Sequence, residues 1–418
     1  MQKNYILLTG TIFGIGGGQL YTRNKAVFLR ETGWNVLVFS ALNGTVRISG
    51  LEDDASNVIP QLSRNPSLFP AAERKKVLEM LGNSLKSPES HTVIESHTIE
   101  ASLWGEMLAE KIKGKHFVYL LGENFARQPE YVMNFLDFKH KRREMAGIVE
   151  KSLEVIFDGY KELSGKERYH LQAVCSNSVE DVENPVINGL CPKDINIGSI
   201  GRLDKRYVPP MVDEISKFAA ANPDVEIQLI LVGGSPDGTA EKEILAKTQS
   251  TGNLSTVITG YMFPIPRKLF GITDFFISAA GSAIVSAGEG VPTLSLDVRN
   301  SMPIGLLGIE TTDILYGGGA KEESISELLQ EFLIRQKMRK SANPGKGYVK
   351  VSDFREEFRK HIDFIENSNA SKEYYTIFFP GSGVKDKIRR SMISVLGIKN
   401  YLRLVNSKLM MKARRIYG

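Results

Sequence analysis

Cysteine is almost absent from this chain: Cys175 and Cys191 are the two thiols among 418 residues. They stand sixteen positions apart with no histidine at metal-ligand spacing beside them. That excludes a disulfide scaffold and a zinc site, and it makes a reducing compartment the expected setting. Long apolar runs are missing as well, since no stretch reaches the ~18 residues that a bilayer span needs. The opening NYILLTGTIFGIGGG has no A-x-A cleavage signature and reads as a first buried strand rather than an export signal. No D-x-D or comparable acidic spacing is present to hold a divalent cation, so neither a metal nor a resident cofactor is expected. A net basic charge is missing except in one place. The net charge is +5, but residues 385 to 418 hold five Lys and five Arg against Asp386 alone, a charge of +9, so that residues 1 to 384 sum to −4. No nucleic-acid partner is expected of such a body.

What remains is the composition of a globular protein, 42% hydrophobic and 24% charged. The chain is too long for one ordinary core, and two domains of roughly 190 residues are the default. Residues 5 to 9 predict a first strand and 12 to 18 a glycine-rich loop. Leu20, Val27 and Phe28 then mark one face of a helix that Gly33 ends. Asn35–Ser40 predicts the second strand. This βαβ opening fails as a dinucleotide fingerprint: Gly14 and Gly16 lack a third glycine where Gln19 stands, and the second strand ends in Phe39 and Ser40 rather than an acid. It is no Walker loop either, for lack of Gly-Lys-Ser/Thr.

Residues 45 to 90, punctuated by Pro60, Pro66, Pro70 and Pro88, read as a variable region with a helix over 74 to 85. A strand is predicted over 92 to 97, ending in Glu95, Ser96 and His97, then a helix over Ile99–Ile112 with Trp104 and Leu108 on one face. Residues 117 to 121 predict a further strand, followed by Gly122, Glu123 and Asn124. The run KHKRREMAGIVEK over 139 to 151 reads as a solvated helix face. Residues 153 to 157 and 170 to 175 read as the last strands of this half, and 177 to 188 as a linker.

The second half is more informative. INIGSIGRLDKRYVPP, VEIQLILVGGSPDG and DFFISAAGSAIVSAGEGVPTLSLD each place a short apolar run before small residues and a helical segment. That is the pattern of buried parallel strands delivering loops to their carboxyl ends, where open α/β sheets bind ligands. The first loop carries Arg202, Lys205 and Arg206, enough positive charge to grip a diphosphate. The glycines of the other two let backbone N–H groups approach an anion. A phosphate-bearing small molecule is the natural occupant. Further on, Ile325, Leu328, Leu329 and Phe332 share a helix face, and residues 354 to 364 carry another helical pattern.

The string G-R-L with its following basic residues, L-I-L-V-G-G, and G-S-A-I-V-S-A-G-E-G-V-P resemble the C-terminal half of GT-B glycosyltransferases of the glycosyl transferase group 1 family. The likeness covers roughly residues 195 to 297 and is looser before them. It implies an α/β chain of two Rossmann-like domains facing across a cleft that holds a nucleotide-sugar donor, with transfer usually retaining anomeric configuration. The domains implied are 1–188 for the acceptor and 189–350 for the donor. A helical segment, 351–384, crosses back to the first domain, and a basic amphipathic tail follows at 385–418. The resemblance turns Gly16, Gly17 and Gly18 toward the donor phosphates and gives the acceptor side to His97 and Glu123, the latter near a position where many members carry histidine. Arg202 would clasp the diphosphate with Lys205 or Arg206, because the family's lysine position is Tyr207 here. Gly233 lines the donor, Tyr261 lies beside the nucleobase, and Gly281, Ser282 and Ser286 belong to the last loop. One feature departs from the pattern. Of the family's two glutamates eight residues apart, the second falls on Val285 and the first within 277 to 280, which has no acid; Glu289 comes four residues later and is a candidate ribose ligand.

These readings imply a metal-independent hexosyl transfer from a nucleotide-sugar to a cell-surface polysaccharide or glycolipid acceptor, on the cytoplasmic face of the plasma membrane. The missing glutamates keep open a non-catalytic GT-B subunit serving a partner transferase, and the shared architecture keeps open a nucleotide-sugar epimerase. In the tail, Ile388, Met392, Val395 and Leu396 share a face, and after Gly397 so do Ile398, Leu402, Val405, Leu409 and Ile416. Two basic amphipathic helices with a glycine joint would lie in an anionic membrane interface. The alternative is a helix packed on the first domain with its basic face solvated.

Overall fold

From Asn4 to Thr9 every residue of the first strand is buried, as in a parallel strand covered on both faces. The computed structural model describes residues 3–46, 48–85, 91–122, 125, 127–175, 177–235, 237–317, 323–336, 347–350, 353–368, 373–377 and 384–405. The chain forms two compact units, one from Met1–Gly14, Thr22–Ala173 and Glu357–Gly418, the other from Ile15–Tyr21 and Val174–Glu356.

In the first unit β1 (Lys3–Thr9), α1 (Gly17–Glu31), β2 (Asn35–Ser40), α2 (Ala71–Asn83), β3 (His91–Ser96), α3 (Ile99–Ile112), β4 (Lys115–Val118), α4 (Glu130–Lys141) and α5 (Ser152–Phe157) follow one another, with α1 from Thr22 onward in this unit and its start, Gly17–Tyr21, in the other. The strands lie parallel in the order β2-β1-β3-β4, with Tyr5 level with both Val36 and Val93. α3 shows why the local sequence folds as it does. Thr98 caps it by accepting from the Ala101 N–H, and Lys113 leaves it in a left-handed conformation, φ 57°. Trp104 on its buried face donates from Nε1 to the carbonyls of Gln61 and Arg64, at 3.1 and 2.9 Å.

Three expectations for this half are corrected. The charged run over 139–151 is not a solvated face. Lys139 is buried and donates to Glu106 and Glu144, both at 2.7 Å, while Arg142 pairs with Glu144 at 3.0 Å and His116 Nδ1 lies 2.8 Å from Glu106. Burial works to raise the Glu106 carboxyl, but Lys139 and His116 override it and bring it down to about 2. Residues 153–157 form the helix α5 rather than a strand, because a five-residue apolar run is ambiguous by periodicity alone. Residues 170–175 make one isolated bridge, Gly147 with His170, and no strand.

The second unit holds β5 (Val179–Glu180), α6 (Pro185–Asn188), β6 (Ile195–Ile200), α7 (Val208–Ala220), β7 (Ile227–Val232), α8 (Thr239–Thr248), β8 (Leu254–Gly260), β9 (Ile265–Pro266), α9 (Lys268–Ile272), β10 (Phe275–Ser278), α10 (Gly281–Gly288), β11 (Thr293–Leu296), β12 (Pro303–Leu306) and α11 (Ile325–Leu329). Six strands run in the order β12-β11-β10-β6-β7-β8, all parallel except β12 against β11. β6, β7 and β10 are buried along their whole length. The segment read as a linker, 177–188, is folded into this unit: β5 pairs with β9, and Asn184 caps α6. α11 passes into a π-helical stretch over Gln330–Arg335.

The chain then returns to the first unit. On α12 (Phe354–Glu366), Phe358 packs against Phe28 with ring centroids 5.7 Å apart. Lys115 closes the end of α12 by donating to the carbonyls of Ile365 and Glu366, at 2.9 and 3.0 Å. α13 (Val384–Val405) is interrupted at Gly397, φ 70°, as the glycine joint predicts. Its apolar residues do not form the single face read from sequence. Ile393 and Tyr401, with Met392 and Ile398, pack on a cluster that includes Leu62, Leu68, Phe69 and Leu81, whereas Ile388 and Val395 stand in solvent. Residues 406–418 and the calls on them, including Leu409 and Ile416, lie outside the described residues. Among the described residues no helix is long and apolar enough to cross a membrane.

Candidate functional site

Two helices of the second unit begin beside one residue. α1 starts at Gly17, and a Cβ built there would sit 3.7 Å from Cys175 Sγ; α10 starts at Gly281, where a Cβ would meet the same sulfur at 2.8 Å and the Cys175 carbonyl oxygen at 3.2 Å. The position before α1, Gly16, would place its Cβ 3.9 Å from the Arg202 Cδ. Glycine is therefore needed at the start of α10 for close approach, whereas a Cβ at Gly17 would make ordinary contact, and the stem of Arg202 lies beside Gly16. Each helix turns the positive end of its dipole here. The N–H groups of Gly281 and Ser282 have no partner among the described residues. Such N–H groups suit an anion, and the Arg202 guanidinium meets Asp204 at 3.4 Å.

The local backbone is held for this purpose. Ala280, just before α10, has φ 56° and ψ −140°, which L residues rarely adopt, and its N–H donates to the Ile314 carbonyl at 2.6 Å. At the ends of β6 and β7 the two backbones cross so closely that a Cβ on Gly233, φ 148°, would fall 1.8 Å from the Gly201 oxygen. Leu203 donates to the Gly234 carbonyl at 3.1 Å, which ties the loop bearing Arg202 to the loop after β7.

The structure sorts the residues read from sequence. Gly16, Gly17, Arg202, Gly281 and Ser282 come together. Gly18 lies in the first turn of α1. Arg206 is exposed, Lys205 half-buried, and Tyr207, where the family's lysine would stand, is a core residue whose hydroxyl lies 3.3 Å from the Cβ position of Gly201. Gly233 serves the backbone crossing. The loop after it is occupied from within: Glu241 of α8 accepts from the Ser235 N–H at 2.6 Å and from its hydroxyl, and Tyr261 donates to the Gly234 carbonyl at 2.8 Å. Burial works to raise the Glu241 carboxyl, and the Ser235 hydrogen bonds hold it below its ordinary value. Ser286 is buried under α10, donating to the Ser282 carbonyl and accepting from Thr293, so it packs the helix on the sheet. Glu289 ends α10 and pairs with Arg267. An eight-residue helix is about 12 Å long, which puts Glu289 at the amino-terminal edge of the sheet, opposite the glycine loops.

His97 is buried, its side chain 1% exposed, and belongs to a charged network within the first unit. Glu95 accepts from His97 Nε2 at 3.0 Å, from Lys25 at 3.2 Å and from the Tyr5 hydroxyl at 2.5 Å, and Thr22 lies 3.4 Å from His97 Nδ1. Against burial, Lys25 and the His97 and Tyr5 hydrogen bonds hold Glu95 well below the usual carboxylate range. Lys25 also reaches His361 Nδ1 of α12 at 3.3 Å, and His361 Nε2 donates to the Gln172 carbonyl at 3.0 Å. Such a network positions β3, α1 and α12. Glu123 lies outside the described residues. Sequence reasoning missed Cys175 and Glu241: a single thiol and an acid inside a helix carry no spacing signal, and only the fold brings them to the loops. Among the described residues no cluster of His, Cys, Asp or Glu suits a metal ion.

An α/β chain built of two Rossmann-like units with parallel sheets is of the GT-B type. The chain is similar over 97% of its length to 99% of a glycosyltransferase from Rickettsia africae (TM-score 0.55, 15% identity). It is similar over 88% of its length to the whole of Anabaena HepE solved in complex with UDP and glucose (TM-score 0.55, 13% identity), and over 80% to 91% of the same protein with UDP-glucose (TM-score 0.54, 13% identity). At such identities the likeness is one of fold. No family model matches the chain, and no curated protein matches it.

Proposed function

We propose that this protein is a GT-B glycosyltransferase that binds the diphosphate of a nucleotide-sugar donor at the starts of α1 and α10 and transfers the sugar to a glycan or lipid-linked glycan acceptor. The observation that carries the reading is the meeting of Gly17 and Gly281 at Cys175, with Arg202 beside the adjacent Gly16 and N–H groups at Gly281 and Ser282 that have no partner among the described residues. Its support from likeness is that HepE, of the same fold, was solved with UDP and with UDP-glucose. A fixed array of N–H dipoles and one guanidinium stabilises charge as it develops on a departing diphosphate, often the largest single contribution to catalysis. The transfer is metal-independent and retaining in this reading, and the acceptor belongs to a cell-surface polysaccharide or glycolipid.

Calorimetry with UDP and other nucleoside diphosphates tests the site. Arg202→Ala removes a charge-assisted hydrogen bond and should weaken affinity by about 1.5 to 3 kcal/mol while the fold persists. Equal dissociation constants for the two proteins would remove Arg202 from the site. One observation favours a second reading, that of a non-catalytic subunit: residues 277–280 and 285 supply no acid beside the glycine loops, and Glu289 lies at the far edge. Tight nucleotide binding with neither transfer nor donor hydrolysis, with or without EDTA, would select it.

A further inference from the structure

α13 has apolar residues on two sides, and one of them is exposed among the described residues. Ile393 and Tyr401 are buried on the first unit, yet Val395 is 83% exposed, Ile388 54% and Leu396 39%. At 100° per residue, Ile388 and Val395 lie on one line along the helix, and Ile393 lies roughly 150° around from them. The inner side is therefore already satisfied by the protein, and the outer stripe is a separate feature. Isolated exposed aliphatic side chains are ordinary; Ile388 and Val395 are aligned two turns apart, with Leu396 at the border of that stripe, about 80 to 100° around. The flanks decide what could cover them. Lys387 and Arg389 stand exposed beside the stripe, Arg403 is exposed beyond the kink, and Val384–Val405 contains six basic residues against one acid. A second copy of the same helix would bring like charges together, and a nucleic acid would gain nothing from the stripe. A bilayer with anionic headgroups satisfies both features at once.

We propose that the outer face of α13 is a docking surface for an anionic lipid bilayer, with Ile388, Val395 and Leu396 entering the interface and Lys387 and Arg389 meeting the headgroups. Contact is made by a helix already folded onto the first unit, not by a free tail. The helix lies in the membrane plane with the protein body on its other side. This surface lies outside the anion site and does not depend on the sugar-transfer reading.

The test is flotation of the full chain with vesicles of phosphatidylcholine and phosphatidylglycerol, and with phosphatidylcholine alone. The native chain should float with the anionic vesicles at low salt, less at high salt, and not with the neutral ones. Ile388→Asp/Val395→Asp should lower the floated fraction about tenfold or more, and Lys387→Gln/Arg389→Gln should lower it and blunt its salt dependence. Both variants should keep native tryptophan fluorescence and the nucleotide affinity of the parent. Equal flotation of the parent and the double aspartate variant would overturn the proposal. So would a native chain that stays at the bottom of the gradient and elutes as a dimer, with the aspartate variant monomeric, which would make the stripe a contact between copies.

Discussion

His361 offers a measurement of how the first unit is held. Burial and the neighbouring Lys25 charge bring its pKa down from the ordinary 6.5 to about 3, against the opposing effects of Glu95 and the Gln172 carbonyl. The ring also meets Tyr119 and Phe358 edge-on, at 5.3 and 5.4 Å between centroids, so no water-facing side is left for a proton. The imidazole thus stays neutral in the folded chain while the unfolded chain protonates it near pH 6.5. Below that pH the unfolded state binds more protons, and stability must fall as pH falls, levelling off near pH 3. At about 1.4 kcal/mol per pH unit, lowering pH from 7 to 5 costs roughly 2 kcal/mol from this residue. Trp34 and Trp104, the two tryptophans of the chain, both lie in the first unit, so their fluorescence reports on its unfolding alone. Urea titrations at pH 7 and pH 5 should give a stability difference smaller by roughly 2 kcal/mol in His361→Gln than in the parent. Burial also lowers His116 and His140, but their contributions are common to both proteins and cancel. The same pH difference in parent and variant would refute a buried neutral His361.

Three further outcomes are expected. Alkylation of Cys175 by a bulky maleimide in a Cys191→Ser background should abolish nucleotide binding, because the Cβ positions of Gly17 and Gly281 leave no room beside the sulfur; mass spectrometry of the modified peptide with calorimetry reads it, and full affinity after stoichiometric modification would refute it. Lys139→Ala should cost about 3 to 5 kcal/mol in tryptophan-detected urea unfolding, since it leaves Glu106 and Glu144 buried beside one another without their shared cation. Ala280→Gly should not destabilise the chain and should raise its melting temperature slightly: relief of a backbone conformation worth about 1 to 3 kcal/mol outweighs the ~0.5 to 1 kcal/mol entropy cost of glycine. A lower melting temperature for that variant would mean that Ala280 is unstrained.

The second unit was the more legible in sequence, because buried parallel strands are short continuous apolar runs and their loops end in small residues. Residues 195 to 297 announce β6, β7 and β10 in this way, and Gly281 and Arg202 follow the carboxyl ends of β10 and β6 as the pattern requires. Charge was the main source of error in the first unit. Lys139, Arg142 and Glu144 look like a solvated face to any reading based on hydropathy, since their burial rests on partners in α3 and at the end of α4 that only the tertiary fold supplies. His97 shows a related limit: a strand end delivers a side chain either to the ligand side or to the helices, and its pairing with Glu95, which Lys25 joins from about two turns into α1, is supplied by the tertiary fold. α13 shows a third limit. Helical spacing reveals that Ile388, Met392, Val395 and Leu396 are apolar and close, but a helix with two apolar sides is split by whichever neighbour packs first.

The return of α12 and α13 to the first unit has a consequence for synthesis. Lys25, Tyr5 and Glu95 leave the ribosome within the first hundred residues, but His361 and Phe358, which close over them, are not made until the whole second unit has emerged. At roughly 5 to 20 residues per second, about 10 to 40 s separate Ala173 from Glu357. During that interval the nascent first unit holds an open charged pocket and the uncovered cluster around Leu62, Phe69 and Leu81, while the later-made unit gains all of its strands before Glu357 is added. The unit that begins the chain is thus the last to be finished, and its half-built form is the species most in need of a chaperone.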